Sequence, residues 1–184
     1  MINTVDAIKT TRDINKMKKA LHGRDRLLFV LGVSLGLRVS DLLALKIGDI
    51  RGKEYLTLVE SKTESTRKRR THRRIKLSAT VKREVSALDG ADSDYVFKSQ
   101  KGANRPITRQ HAYRVLNEAA KRAGVNVAVG THTLRKTFGW QLYAKGFDIT
   151  RIMEIFGHST PAMTLKYIGI TSDEIDNAYE AIEI

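Results

Sequence analysis

One stretch decides how this chain is organised: Gly157-His158-Ser159-Thr160-Pro161-Ala162-Met163-Thr164-Leu165-Lys166-Tyr167. The spacing predicts that Gly157 ends one helix and that Pro161 stands at the first position of the next, where a missing N–H is tolerated. That second helix carries Tyr167 at its far end, nine residues after His158. A phenol beside an imidazole is a candidate nucleophile, but it is weak at neutral pH. The stretch therefore predicts an active site only if the rest of the chain supplies groups that stabilise charge.

The composition predicts a basic globular protein of one domain. The chain has 184 residues, of which 41% are hydrophobic, enough to build a core. Its 33 lysines and arginines exceed its 20 aspartates and glutamates by 13, so a polyanion is the expected partner. Nucleic acid is favoured over a membrane surface, because no segment combines strong positive charge with bulky apolar anchors. A ribosomal-type or merely solubilising basic surface is the alternative.

The residue types that are missing exclude several other classes of protein. Without cysteine there are no disulfides, thiolate nucleophiles or cysteine zinc sites. No apolar run approaches the roughly 18 residues that span a bilayer, and residues 1–6 lack the build of a signal peptide. We therefore expect a cytoplasmic, nucleoid-associated protein without membrane contact.

In the first quarter of the chain, one arginine stands between predicted helices. An amphipathic helix is expected within residues 4–22, starting near Thr10. Residues 26–35 are apolar on nearly every side, which predicts a core helix closed by Gly36. Ser40 is then expected to cap a helix that continues through residue 47. Arg38 lies in the turn between these helices, where it is either an internal ion-pair partner or an anion clamp.

Two alternating segments, residues 54–60 and 73–77, predict a pair of strands. The connector between them, residues 61–72, is about twice the usual hairpin length and is predicted to be a loop. It is dense in positive charge, which phosphates would order; a solvated loop describes the free protein equally well. Together with the returning strand and the outer side of a later helix, it supplies the predicted DNA-binding residues. These are Arg67, Lys68, Arg69, Arg70, Arg73, Arg74, Arg109, His111 and Arg114.

The second half of the chain predicts mainly helices. A short helix over 81–88 and an extended segment over 94–97 precede a helix over 109–123 that Gly124 closes. Residues 131–145 predict another helix, whose His132 and Arg135 share one face near its positive N-terminus. Asp148 is expected to cap the short helix before Gly157. Residues 171–184 form an acidic amphipathic tail, predicted to be a helix that packs on a surface.

Several short motifs of the sequence together resemble those of a known family. Leu35-Gly36-Leu37-Arg38-Val39-Ser40-Asp41, Lys62 after a strand, His132-Thr133-Leu134-Arg135, Gly157-His158-Ser159 and Tyr167 match, in order, the catalytic domain of the tyrosine recombinases (phage integrases). The resemblance covers roughly residues 5–170. It implies an α+β fold that is predominantly α-helical, a DNA breaking-rejoining catalytic domain with a small antiparallel β-sheet.

The resemblance also implies a reaction, site-specific recombination or integration of duplex DNA. Tyr167 would attack a phosphodiester and form a 3′-phosphotyrosyl link, and Lys62 would protonate the departing 5′ oxygen. Because the link conserves the bond energy, rejoining needs no ATP, metal or other cofactor. A catalytically inactive DNA-binding module and a type IB topoisomerase are the alternatives.

The chemistry of the remaining residues suits that reaction. Displacement at phosphorus builds up negative charge that fixed cations must meet, and the guanidinium groups of Arg38 and Arg135 match phosphate oxygens bidentately. His132 and His158 titrate near neutrality, so either can accept a proton or hold an oxyanion.

Each of these residues also has a purely structural interpretation. Arg38 could pair with Asp41 or Asp49, and His132 could cap its helix. His158 could bind a main-chain group beside Gly157, and Tyr167 could be an ordinary half-buried tyrosine. Lys53 or Lys68 could replace Lys62 in the site, and Trp140 is expected to pack against the core.

The family also predicts how the chain is assembled. We expect one catalytic domain over residues 1–184 and no N-terminal core-binding domain, because the catalytic pattern begins almost at Met1. We expect a dimer to tetramer on DNA, held together by the C-terminal tail.

Overall fold

A computed structural model describes residues 5–64, 67–101, 103–170 and 180, and the side chains of residues 59–72 lie outside that description. Its elements, in chain order, are α1 (Thr11–Ala20), α2 (Gly23–Leu35), α3 (Val39–Leu43), α4 (Ile47–Ile50), β1 (Tyr55–Glu64), β2 (Arg67–Lys76), α5 (Ala79–Ser86), α6 (Arg109–Ala123), α7 (Thr131–Ala144), α8 (Ile149–Phe156) and α9 (Pro161–Ile168). The chain is thus mainly helical with one small antiparallel sheet, as the sequence predicts. In the described part of the chain, no helix is long and apolar enough to cross a membrane.

Helix α2 forms the centre of the main core. Leu28, Phe29 and Leu31 are fully buried, in keeping with a segment that is apolar on nearly every side. The helix packs closely on α7, because Gly32 leaves room for Leu134: a Cβ at that position would lie 2.9 Å from the Leu134 Cβ. This close approach fixes the two helices that carry the candidate site.

A second, smaller core seats the last two helices. Ile152 and Phe156 of α8 and Ile168 of α9 are buried together, and Tyr167 packs against them. Gly139 of α7 makes the fit, since a Cβ there would lie 2.6 Å from Phe156 and 2.7 Å from Ile168. The position of the helix that bears Tyr167 is therefore set by apolar contacts with α7 and α8.

The N-terminal segment, residues 5–10, lies along α7 and reaches the end of α9. The Ile8 main-chain N–H donates to the Thr137 hydroxyl at 2.8 Å, and the Trp140 indole donates to the Lys9 carbonyl at 3.1 Å. The Lys9 ammonium donates to the Gly169 carbonyl at 2.8 Å and lies over the Trp140 ring. Trp140 therefore packs and hydrogen-bonds within the fold, as expected.

The turn before Arg38 forms as predicted, but the helix after it does not. Gly36 closes α2 with φ +61°, a left-handed conformation that favours glycine. The predicted N-cap at Ser40 and the single helix through residue 47 were wrong: Arg38 is the N-cap, and α3 ends at Leu43. A new helix starts at Ile47 because the Asp49 carboxylate accepts the Lys46 N–H at 2.8 Å.

The long connector between the strands was predicted to be a loop, which was wrong. The strands pair from Tyr55↔Lys76 to Glu64↔Arg67, so most of residues 61–72 belong to the sheet. Antiparallel pairing satisfies main-chain donors and acceptors whatever the side chains are, and alternation separates neighbouring charges onto opposite faces. High charge alone was therefore a poor indicator of a loop.

The remaining boundaries show where local signals suffice. Helices α6, α8 and α9 have the predicted limits, with Thr108, Asp148 and Thr160 as their N-caps. Helix α5 begins two residues early because Ser78 caps it, α2 begins three residues early, and α7 ends one residue early. Residues 94–97 form no regular strand, and Tyr95 forms an isolated bridge with Lys46. The predicted tail helix, residues 171–184, lies outside the described residues except for residue 180.

Candidate active site

Five of the six predicted catalytic residues line one small cavity of about 220 Å³, which we call the active-site pocket. Its lining residues are Arg38, Val39, Ser40, Arg109, His132, Arg135, His158 and Tyr167. They come from the α2–α3 turn and the start of α3, the start of α6, the first five residues of α7, the α8–α9 turn and the end of α9. The sixth residue, Lys62, lies in β1 and pairs with Arg69 across the sheet, and its side chain is outside the description.

Arg135 is the buried centre of the pocket. Its side chain is only 4% exposed, and its guanidinium donates to the Gly36 carbonyl at 2.5 Å and to the Phe156 carbonyl at 2.9 Å. It also lies over the Phe156 ring, 4.4 Å from its centroid. One cation thus ties the end of α2 to the end of α8, and a buried charge is held by fixed acceptors.

Arg38 supplies an exposed positive charge to the same pocket. Among the described residues it has no ion pair with Asp41 or Asp49: Asp41 accepts the Ser40 hydroxyl, and Asp49 accepts the Lys46 N–H. The internal ion pair considered for Arg38 is therefore not found in this part of the chain. Arg38 lines the pocket, where its exposed charge is available to a bound anion.

Tyr167 is half-buried and lines the pocket beside Arg135 and Arg38. Its ring packs edge-on against Phe156 and His158, with centroids 5.5 Å and 5.1 Å apart. Burial raises the pKa of Tyr167, while the charges of Arg135 and Arg38 act to lower it. The phenol is therefore neutral at neutral pH, and its attack on a substrate requires that its proton be removed.

His158 contacts two residues of α9, the candidate nucleophile Tyr167 and Thr164. Its Nδ1 lies 3.0 Å from the Thr164 hydroxyl, so it is a side chain, not a main-chain group beside Gly157, that binds this nitrogen. Burial lowers the pKa of His158, and the cations Arg135 and Arg38 lower it further. The imidazole is consequently neutral at neutral pH and able to accept a proton.

His132 is more exposed than His158, and it contacts Arg109, which was predicted to lie on the outer side of α6. Its Nε2 lies 3.2 Å from the guanidinium of Arg109. Burial lowers the pKa of His132, followed by the charges of Arg109, Lys136 and Arg135. It does not cap α7, because the Thr133 hydroxyl accepts the Gly130 N–H at 3.0 Å.

The predicted DNA-binding residues of α6 have different surroundings. Arg114 is exposed and lines a larger cavity of about 480 Å³ that shares Arg109 and His132 with the active-site pocket. His111 is half-buried, and its Nε2 lies 3.1 Å from the Arg24 guanidinium. Arg24 thus already engages the His111 ring, which was predicted to face a DNA groove.

The basic residues of β2 are only partly described. Arg74 is exposed and lies 3.5 Å over the Tyr55 ring, and Arg73 is half-buried opposite Leu58. The other four predicted DNA-binding residues of this strand contribute main chain to the sheet, and their side chains lie outside the description. They are Arg67, Lys68, Arg69 and Arg70.

Sequence reasoning missed three residues of the site. Arg109 was assigned to the outer side of α6 only, although it also enters the active-site pocket. Lys136 donates to the Val5 carbonyl at 2.7 Å and lies 5.5 Å from the Tyr167 ring centroid. Thr164 could have been found, because a spacing of three places it on the same helical face as Tyr167.

The assembled groups suit displacement at a phosphodiester. Two guanidinium groups can meet the charge of a pentacoordinate phosphorus, neutral imidazoles can take up a proton, and a phenol can attack. All of these groups lie around one cavity, although they come from residues 38 to 167 of the chain.

Comparison with known proteins identifies the same family that the motifs resemble. The sequence model of the phage integrase family matches residues 5–174. The chain is 38% identical over 184 residues to the probable integrase/recombinase YoeC of Bacillus subtilis (strain 168), covering 97% of each. It spans only 50% to 58% of the length of XerD, XerA and XerC tyrosine recombinases that it also matches.

Solved structures show the same fold. The crystal structure of XerA recombinase superposes with a TM-score of 0.72 at 21% identity, covering 96% of this chain and 64% of that one. XerH bound to palindromic difH substrate in a post-cleavage complex gives a TM-score of 0.70 at 21% identity, covering 96% and 52%. Because a family match covers most of its length, the chain belongs to the phage integrase family of tyrosine recombinases.

Proposed function

We propose that this protein cleaves and rejoins duplex DNA at specific sites, with Tyr167 as the nucleophile. The observation that carries the proposal is the pocket in which Arg38, Arg135, His158 and Tyr167 meet. Membership of the tyrosine recombinase family supports it. We assign the reaction to residues 5–170 as one catalytic domain.

The proposed reaction is a transesterification at phosphorus. A neutral imidazole of the pocket accepts the phenol proton, and the Tyr167 oxygen attacks the scissile phosphorus. The bond to the 5′ oxygen breaks, and a 3′-phosphotyrosyl ester forms. Arg38 and Arg135 hold the non-bridging oxygens as their charge increases. Attack by a 5′ hydroxyl on the ester reverses these steps and rejoins the strand.

Lys62 is our candidate for the acid that protonates the departing 5′ oxygen. It lies in β1, and its assignment rests on the family resemblance, since its side chain is not described. An ammonium group suits the task because it carries a proton to a leaving oxygen whose own pKa is high.

The DNA backbone is expected to bind across the face that contains the pocket. Arg109 and Arg114 lie on that face at the start of α6, and together with the basic strand β2 they would neutralise phosphates. Phosphate contacts fix the position of the protein on the DNA but do not distinguish one base from another. The choice of target site therefore depends on other side chains that face the grooves.

We further propose that the protein assembles on DNA as a dimer to tetramer and acts on the nucleoid in the cytoplasm. The acidic C-terminal tail is our candidate for the contact between protomers, because its amphipathic pattern needs an apolar partner surface. A chain ending at residue 171 should lose assembly on DNA and keep cleavage of a single site. Unchanged assembly of this shortened chain would refute the tail assignment.

The test of the proposed function is a covalent adduct between protein and DNA. The chain is incubated in chelator with a pool of nicked duplexes of varied sequence, and proteins that carry DNA after denaturation are collected. We expect an adduct on a subset of sequences, which Tyr167→Phe abolishes while leaving the melting temperature unchanged. Tyr143→Phe is the matched control, because Tyr143 is an exposed tyrosine of α7 outside the pocket.

The other outcomes distinguish the alternatives. Adducts on every sequence together with relaxation of supercoiled plasmid would indicate a topoisomerase. DNA binding without any adduct across the pool would indicate a DNA-binding module that has lost the reaction. Either result would contradict the proposal.

A further inference from the structure

Thr164 is a buried polar residue that neither the family motifs nor the proposed reaction uses. Its side chain is 0% exposed and lies on α9, one turn before Tyr167. Its hydroxyl meets two partners, the Nδ1 of His158 at 3.0 Å and the Thr160 carbonyl at 3.3 Å. A buried hydroxyl that contacts an imidazole nitrogen influences which of the two ring nitrogens carries a hydrogen.

The two contacts fit one assignment of the hydrogen bonds, in which the Thr164 hydroxyl donates to the Thr160 carbonyl. A hydroxyl has one proton to donate, and the Thr160 carbonyl can only accept. With its proton given to that carbonyl, the Thr164 oxygen is left as an acceptor. In this assignment the Nδ1 of His158 carries a hydrogen and donates it to Thr164.

This direction also holds when the imidazole gains a proton. A charged imidazole has N–H groups at both nitrogens, so Nδ1 continues to donate to Thr164. The nitrogen that differs between the two states is Nε2. We propose that Thr164 is a positioning residue, which keeps Nδ1 of His158 protonated so that Nε2 alone exchanges a proton in the active-site pocket.

The surroundings of His158 make this assignment useful to the reaction. The charged and polar groups that face the His158 ring among the described residues are Arg38 from the α2–α3 turn, Arg135 from α7, and Tyr167 and Thr164 from α9. The two guanidinium groups can accept nothing, so they cannot compete with Thr164 for the Nδ1 proton. A free Nε2 can accept the phenol proton, and a protonated one can donate to a phosphate oxygen.

The contact also couples the histidine to the position of the nucleophile. Thr164 and Tyr167 are three residues apart on one helix, so any displacement of α9 that moves the phenol also removes the Thr164 oxygen from His158. The inference rests on the proposed function for its catalytic meaning, but the hydrogen bond itself can be tested without DNA.

The first experiment observes the tautomer by NMR on the ¹⁵N-labelled full chain without DNA. The chain has five histidines, and His158→Phe assigns the signal of interest. We expect neutral His158 to be protonated at Nδ1 in the wild type and in Thr164→Ser. Thr164→Val removes the acceptor and keeps the shape, so the ring should shift to the Nε2–H form that free imidazole prefers. An unprotonated Nδ1 in the wild type, or an unchanged tautomer in Thr164→Val, would overturn the proposal.

The second experiment measures the rate of adduct formation at saturating concentration of a nicked duplex selected from the pool. Thr164→Val should slow the reaction about tenfold, the change that corresponds to about 1.4 kcal/mol in the barrier. Its affinity for the duplex should stay the same, and Thr164→Ser should restore the rate. If Thr164→Val reacts at the wild-type rate, or if Thr164→Ser is equally slow, the hydroxyl has no positioning role. Because the spectra are recorded without DNA, failure of the proposed function would be recognised separately, as the absence of any adduct.

Discussion

The phenol of Tyr167 shares the active-site pocket with the guanidinium of Arg135, a cation that is itself held by the carbonyls of Gly36 and Phe156. The candidate nucleophile therefore lies in one pocket with a group whose position three helices determine. Arg38, the other arginine of the pocket, is exposed and has no such attachment among the described residues. The two arginines should consequently respond differently to substitution.

Replacement of Arg38 is expected to remove activity without loss of stability. Arg38→Met should lower the rate of adduct formation by roughly 10²–10³-fold, the usual effect of removing one donor to a developing oxyanion. Its melting temperature should equal that of the wild type, because no described acceptor depends on the side chain. A variant with a lowered melting temperature would show that Arg38 has a structural partner.

Replacement of Arg135 is expected to reduce both activity and stability. Arg135→Met leaves the Gly36 and Phe156 carbonyls without their donor, at a cost of about 1–3 kcal/mol for each buried group. Chemical denaturation measures this loss as a lower midpoint at unchanged slope. Wild-type stability would contradict the burial and hydrogen bonding that we describe.

The pH dependence of His158 follows from the cations beside it. Burial, Arg135 and Arg38 lower the pKa of His158 below its ordinary value, so the ring stays neutral until the solution is more acidic than a free histidine requires. Adduct formation should therefore decline only as the pH falls through this lowered value, where the base becomes protonated. NMR titration should show that Arg38→Met raises the pKa of His158, since one of the cations that disfavour its charged form is gone. Arg83→Met, an exposed change on α5, is the control, and equal effects of the two variants would contradict the assignment.

The sequence predicted the elements that local signals determine. The cap at Asp148, the glycines at 36, 124 and 157, and Pro161 each act within a few residues, and the corresponding helix ends formed where expected. The strand extension beyond residue 60 depends on pairing across the hairpin, which the charge of the side chains did not reveal. Local patterns were thus reliable for caps and unreliable for the length of the sheet.

Part of the pocket was predictable because several of its residues lie in short sequence motifs. Arg38, His132, Arg135, His158 and Tyr167 were assigned from their motifs, and they lie around one cavity. The contact of Arg109 with His132 and that of Lys136 with Val5 join segments distant in sequence, which no local spacing indicates. Their discovery required the three-dimensional arrangement of α6, α7 and the N-terminal segment.

Phosphate contacts of α6 can be tested by the salt dependence of DNA binding. Arg114→Gln should weaken binding to all duplexes alike and reduce the slope of log Kd against log salt by about 1. Lys121→Gln is the matched control, because Lys121 lies on the same face of α6 about two turns further from the pocket. Equal slopes for Arg114→Gln and the wild type would place the DNA elsewhere.

The role of Lys62 can be tested with a substrate that needs no acid. A duplex with sulfur in place of the 5′ bridging oxygen releases a thiolate, which leaves without protonation. Lys62→Ala should slow cleavage of the ordinary duplex by about 10²-fold or more, and should cleave the sulfur duplex nearly as fast as the wild type. Arg38→Met should be slow on both duplexes, and Lys121→Ala, an exposed change on α6, on neither. Failure of the sulfur duplex to rescue Lys62→Ala would remove Lys62 from the role of acid.

The central claim, that Tyr167 is the nucleophile, is tested most directly by locating the DNA on the protein. The adduct formed in chelator is digested with nuclease and protease, and mass spectrometry identifies the residue that carries the remaining nucleotide. We predict a 3′-phosphodiester on the hydroxyl of Tyr167, on the fragment 152–184 that an arginine-specific protease releases. A nucleotide on any other residue, or an adduct that persists in Tyr167→Phe, would contradict the account.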